Sequence, residues 1–372
     1  MNRRTVTLLA FTILAVCLMA AAQSTDAMGQ TFINQRRQRV APRPLPPEPT
    51  LPGQTDPGQE PFKLDRGGKV SVANPSGSIT INGWDRDTIE VTATVEDRMG
   101  PVRLRIRGDS RSAIISVPPE IRRHSGEVSL NVNLPSYAEI ESAETQHGDL
   151  SVTNIEGAVY VSATHGDVVA HRIGALRIET RNGDVNIRDV KNSLVVRSLN
   201  GDVVAADIGG SVEVAATSGD ISVQNVGASL RANSASGDIL VTCSKGRVDV
   251  NTASGSLTLT GIGGDVEGST ASGSVVFRGP IRPNGRYSLK SLSGEVEMYI
   301  QPDPPGFTAV LTTYSGELET EFELKINSPL HGPINRRVTG VYGNGQAQLA
   351  LDSFSGIVKI AKASPASLKE CK

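Results

Sequence analysis

Between Thr145 and Ser274 the apolar residues of this chain return at fixed distances from a recurring glycine. The glycines are Gly148, Gly166, Gly183, Gly201, Gly219, Gly237, Gly255 and Gly273, with six intervals of 18 residues and one of 17. At 2, 4, 7, 11 and 13 residues past each glycine from Gly148 to Gly255, allowing for the one-residue deletion after Gly166, every position is apolar except Ser244 and Gly268. Offsets 2 and 4 alternate with polar neighbours, and so do 11 and 13. Each repeat therefore predicts two short strands with inward side chains. A second turn is expected near offset 8, where Gly157, Gly174, Gly209 and Gly227 fall. One repeat is one coil, and a coil of this size buries its apolar face only by stacking on its neighbours. The predicted fold is all-β, a single-stranded parallel β-solenoid with irregular β caps at both ends. Residues such as Asn186, Arg188, Ser222 and Gln224 face water. An antiparallel sandwich does not demand an identical phrase in every coil.

The flanks keep the alternation and lose the period. Segments such as Lys69-Val70-Ser71-Val72, Ser78-Ile79-Thr80-Ile81 and Val128-Ser129-Leu130-Asn131-Val132 read as half-buried strands of an N-terminal cap over 62–144. Trp84, the single tryptophan, is expected to pack in this cap rather than to serve as a sugar platform. Regular repeats occupy 145–278. Beyond Gly273 the glycine interval lengthens to 21 (Gly294), 22 (Gly316) and 40 (Gly356), so 279–361 reads as a C-terminal cap with one inserted excursion. The 62–361 domain is followed by a tail, 362–372, expected to fray.

Composition changes this picture at the N-terminus. Arg3 and Arg4 precede an uncharged apolar run to Met19, and Ala20-Ala21-Ala22 follows, which predicts a signal peptide over 1–22. Val16 stands where a lipoprotein box before Cys17 would need a smaller residue. Residues 23–61 are a Pro-rich spacer, extended and poor in hydrogen-bond donors. The expected location is outside the cytoplasm: periplasm, outer surface or extracellular space. A net charge of -2 argues against nucleic acid as a partner, and membrane contact would come only through the leader if it stays uncleaved. Cleavage leaves Cys243 and Cys371. Two cysteines make no disulfide framework, so the fold is expected to rest on its core.

Candidate chemistry is confined to the repeat corner. Asp149, Asp167, Asp184, Asp202, Asp220 and Asp238 each follow a repeat glycine, and in a solenoid they form a column. A calcium ladder is one reading, because Ca²⁺ accepts several oxygens in flexible geometry. Turn chemistry is the simpler one, with Gly at positive φ and Asp bonding nearby backbone. His147 and His165 should stack beside Asp149 and Asp167, a set that could hold a transition metal, but their column continues as Asn182, Asn200, Ser218 and Ser236. No phosphate loop, dinucleotide fingerprint or nucleophile elbow is present, and no catalytic residue or cofactor is assigned. Asp184, Arg188 and Arg197 on neighbouring coils are the candidate surface set for a polysaccharide lyase or hydrolase. The array holds one aromatic residue, Tyr160, where sugar-processing grooves use several.

Asn74-Pro75-Ser76-Gly77-Ser78-Ile79-Thr80-Ile81-Asn82-Gly83-Trp84-Asp85, Val132-Asn133-Leu134-Pro135 and the Ser-Gly-Asp-Ile phrase at Ser218–Ile221 resemble the bacterial putative adhesin family. The resemblance covers 62–361. It implies an exported, non-enzymatic β-solenoid with a surface or envelope role and a cell-surface protein or glycan as partner. It supplies no catalytic residues. The expected function is an adhesion or cell-envelope interaction scaffold, with a polysaccharide-acting enzyme on the same scaffold as the alternative.

Overall fold

In the computed structural model, which describes residues 62–95, 104–117, 127–330, 336–364 and 371, the repeats wind into stacked coils. The expected leader and Pro-rich spacer lie outside these residues. Among the described residues every regular element is a strand, and no helix is long and apolar enough to cross a membrane. One parallel ladder joins the strands that follow the glycines, in direct register Val185, Val203, Ile221, Ile239 and Leu257. The second joins the strands that precede the next glycine, in register Leu194, Val212, Leu230, Val248 and Val266. Direct register is what an 18-residue period demands, because one residue of slip would turn every inward side chain outward.

The core is a set of aliphatic columns between the ladders. Val185, Ile187, Val190, Leu194 and Val196 are buried to within 1% in one coil, as are Val223 and its equivalents Ala205 and Val241. Both sequence exceptions are accommodated. The space left by Gly268 is approached by Leu289, Leu259 and Val250, and Ser244 donates its hydroxyl to the Ala228 carbonyl at 3.4 Å.

Each coil turns at two corners. At the repeat glycine the backbone adopts positive φ, +118° at Gly219, and a Cβ there would stand 2.2 Å from the Gly201 carbonyl oxygen of the preceding coil. Only glycine satisfies both constraints. The second corner falls near offset 8, as the sequence places it, in the break at 191–193 between Val185–Val190 and Leu194–Asn200. The left-handed residue lies at offset 6, occupied in successive coils by Asn154, Arg172, Asp189, Asp207, Asn225, Cys243 and Gly261, with φ between 54° and 67°. Asn, Asp and Gly tolerate this conformation, whereas Arg172 and Cys243 carry the Cβ penalty of about 1–2 kcal/mol. The glycines near offset 8 serve close approach instead: a Cβ on Gly227 would lie 2.2 Å from the Gly209 carbonyl oxygen.

At both ends the order of coils in space departs from their order in sequence. Strands Lys69–Ser76 and Ile79–Trp84 pair on one side with Glu139–His147 and Leu150–His165. On the other side they pair with Ser112–Ser116 and Val128–Pro135, which are later in the chain and lie further out. The C-terminal end repeats the device. Arg286–Ser293 and Val296–Ile300 are followed in space by Ala347–Ser355 and Val358–Lys362, and only then by Phe307–Ser315 and Leu318–Thr320. Antiparallel partners, Thr88–Val95 at one end and Arg336–Tyr342 at the other, follow, and Phe62–Lys63 and Lys325–Leu330 pair with these in turn. Phe307, Phe322 and Tyr342 meet at ring-centroid distances of 5.2–5.5 Å over the C-terminal end. Trp84 is half-buried in the N-terminal cap, donates from Nε1 to the Thr88 carbonyl at 2.8 Å, and is covered by Arg86.

Candidate functional site

The aspartate column forms at the glycine corner, with every member exposed. Each Oδ1 accepts the backbone N–H of the residue one coil on: Asp149 from Asp167, Asp167 from Asp184, Asp184 from Asp202, Asp202 from Asp220, Asp220 from Asp238 and Asp238 from Ser256, all at 2.7–2.9 Å. Ser256 continues the pattern weakly, accepting from Ser274 at 3.4 Å. The corner has turned away from the strand ladder here, so these amides have no strand carbonyl to meet. The carboxylates satisfy them from the side. One oxygen of each carboxylate is engaged in this way. Among the described residues no group of three or more His, Cys, Asp or Glu side chains is gathered as a metal-binding set.

His147 and His165 are register partners and stack with parallel rings 5.0 Å apart, as their shared repeat position predicts. His165 Nδ1 lies 3.3 Å from the Gln146 carbonyl. Further along the column, Asn200 donates to Asn182 Oδ1 at 3.0 Å.

Two further columns at this corner escaped the sequence reading. The position three residues before the glycine points inward and carries hydroxyls: Thr252, Thr270, Ser291, Ser353 and Thr313 are buried and donate to glycine carbonyls, Thr270 to Gly255 at 2.8 Å and Ser353 to Gly294 at 2.9 Å. The position two before the glycine points out. It changes from Gln146, Thr164 and Arg181 in the first coils to Ala235, Ala253 and Ala271, and then to Leu292, Phe354 and Tyr314. These last three are 41%, 49% and 45% exposed and lie side by side because their strands pair. The Tyr314 and Phe354 rings stack at 4.6 Å, making an exposed apolar ridge at one end of a column that also carries the exposed Leu199. The signal was present in the sequence, but the irregular glycine intervals hid which residues share the column.

Asp184, Arg188 and Arg197 are not brought together as a catalytic set. Asp184 caps the corner, Arg188 belongs to the first ladder, and Arg197 belongs to the second, where it lies 3.7 Å from Glu179. Glu179 is the centre of a dense polar cluster on that face. It accepts from Arg177 at 2.6 Å and from the Tyr160 hydroxyl at 3.1 Å. The Arg177 hydrogen bond, with help from Tyr160 and Arg197, holds the Glu179 carboxyl below its ordinary range. Partial burial, then the hydrogen bond to Glu179, pushes the Tyr160 phenol up.

The second corner holds what the cysteine count did not anticipate. Cys243 and Cys371 form a disulfide across 128 residues. This corrects the expectation that Cys371 sits in a frayed tail and that the fold rests on its core alone. Nothing in the spacing of two isolated cysteines places them together; the long connection through the C-terminal cap does. Beside the bond runs a trough of about 470 Å³. Asp189, Asp207, Asn225 and Cys243 form one wall, Gly209 and Gly227 leave its floor without side chains, and Lys191 and Lys245 stand at its ends. Asn225 donates to Asp207 Oδ1 at 2.8 Å along that wall.

The chain matches the Toastrack DUF4097 family over residues 63–258 and 210–361, and belongs to it. The fold is thus a family β-solenoid whose repeats are similar enough for the two matches to overlap. No curated protein matches the sequence. Among solved structures, a putative cell adhesion protein from Clostridium sporogenes aligns with 84% of this chain and 100% of its own, at 10% identity and a TM-score of 0.21. At that TM-score the likeness bears on neither fold nor function.

Proposed function

We propose that this protein is exported and serves as a non-catalytic scaffold presenting its solenoid surface for adhesion or envelope interaction. The observation that carries the reading is the columnar order of its polar side chains. Asp bonds to the coil beyond the next glycine, Asn251 donates to Asn233 at 3.2 Å, and Arg231 meets Asp249 at 3.2 Å, each one coil away. Polar groups spent on their own column build a regular, rigid face; a hydrolytic centre needs acid, base and electrophile converging on one point. The disulfide supports an oxidising compartment, in keeping with the basic, apolar N-terminus.

The test is retention of the full chain on cell-envelope and glycan fractions, with polymer length followed in parallel. Saturable retention with unchanged polymers is expected. Release of shortened or unsaturated sugars would instead establish a polysaccharide-acting enzyme.

A further inference from the structure

The two sulfurs of the disulfide sit in unlike surroundings. Cys243 is 7% exposed, on a left-handed corner residue in the strand Ile239–Ser244, whereas Cys371 is exposed. Both line the trough, together with the ammonium-bearing Lys245 and Lys191. Thiol–disulfide exchange proceeds by attack of a thiolate on the accessible sulfur, and it is faster when the departing sulfur is stabilised as an anion. Of the two residues Cys371 is the exposed one, its Sγ 3.2 Å from the Gly261 carbonyl, and attack is assigned to it. Departure falls to Cys243, whose surroundings include two lysines as well as Asp189 and Asp207, the latter already holding Asn225.

We infer that Cys243–Cys371 is an exchangeable clasp, and that Cys371 is a site at which a thiol-bearing partner is captured covalently. The partner's thiolate attacks Cys371 Sγ, the bond to Cys243 breaks, and Cys243 leaves as a thiolate that takes a proton from solvent. The product is a mixed disulfide between Cys371 and the partner. One S–S bond forms as another breaks, so no separate oxidant is required. A second thiol would release the partner as its own disulfide and leave both cysteines reduced.

The geometry makes the exchange compatible with a folded solenoid. Cys243 lies at a corner, and the Ile239–Ser244 strand is held by its ladder partners Ile221–Val226 and Leu257–Ile262 through backbone pairing in which the sulfurs take no part. The inference stands apart from the adhesion reading, because it depends on the two sulfur environments and not on any surface ligand.

The experiment exposes the oxidised full chain to millimolar reduced glutathione under native conditions, quenches with acid, and locates the adduct by peptide mass spectrometry while circular dichroism follows the fold. A glutathione adduct on Cys371, with the strand spectrum unchanged, is expected. Lys245→Met should slow adduct formation about three- to tenfold, without altering the spectrum. A bond that resists glutathione until the chain is denatured would mark it as a buried structural staple and overturn the inference. An adduct found on Cys243 would overturn it equally.

Discussion

The carboxylate of Asp202 accepts the backbone N–H of Asp220 at 2.8 Å, so a side chain in one coil completes the backbone of the next. Asp202→Asn preserves an acceptor and should be nearly neutral. Asp202→Ala removes it and should cost about 0.5–1.5 kcal/mol, read as a drop in thermal midpoint. A loss of equal size in both variants would show that charge, not capping, is what matters at this position.

The same bonding sets an expectation for calcium. A cation that binds only the folded chain raises the midpoint by mass action. With one oxygen of each carboxylate in the column already committed, millimolar Ca²⁺ and excess chelator should give coincident melting curves. A calcium-dependent rise of several degrees would mean that the free Oδ2 atoms assemble a metal ladder.

Val223 is wholly buried between Ala205 and Val241. Val223→Asp places an unpaired carboxylate in the core at a cost of about 3 kcal/mol or more. Because each coil is the floor of the next, hydrogen exchange should rise across several coils around residue 223 and not at one strand.

Tyr287 is buried, packs its ring edge-on to Phe277 at 5.4 Å, and accepts the Arg282 N–H at 3.0 Å. Burial pushes its phenol above the ordinary tyrosine value, with the Arg282 hydrogen bonds opposing. A raised folded value means that this contribution is intact below the unfolded pKa, near 10, and is lost as pH climbs through the folded value. Tyr287→Phe should lower stability by about 1 kcal/mol at neutral pH. The variant should then lose less than the parent above pH 10, measured by denaturant midpoints at both pH values.

Glu179 works in the opposite direction. Its folded value is lowered, chiefly by Arg177, so its contribution is present above the unfolded carboxyl range and is lost as pH falls through the folded value. Its side chain is more than a third exposed, and such pairs are worth at most ~1 kcal/mol after screening. Glu179→Gln should therefore shift the acid midpoint slightly and leave stability at neutral pH within that bound.

The regular coils were legible in the sequence because period and register are the same information: once Gly219 and Gly237 are equivalent, Ile221 and Ile239 must pair. Polar columns followed for the same reason, which is why the His147–His165 stack and the aspartate alignment could be read in advance. The second corner was legible through Gly209 and Gly227, which mark close approach of backbones, but the left-handed position two residues earlier was not, because it uses Asp207 and Asn225, common surface residues elsewhere. The ridge at Leu292, Phe354 and Tyr314 and the pairing of Cys243 with Cys371 depend on contacts across irregular connections. No local spacing encodes the disulfide, and unequal glycine intervals obscure the ridge.

The interleaved C-terminal coils also constrain how the molecule is completed as it is made. Ala347–Ser355 lies between Arg286–Ser293 and Phe307–Ser315, although it is synthesised last of the three. A chain emerging from its N-terminus can zip coil upon coil as far as Ile300, and there it must wait. Its growing end remains an open strand edge until the final segment arrives and slides in beneath the lid already made. Truncation between Ile300 and Ala347 therefore removes the layer that joins the lid to the stack, and leaves a template on which other strands can add.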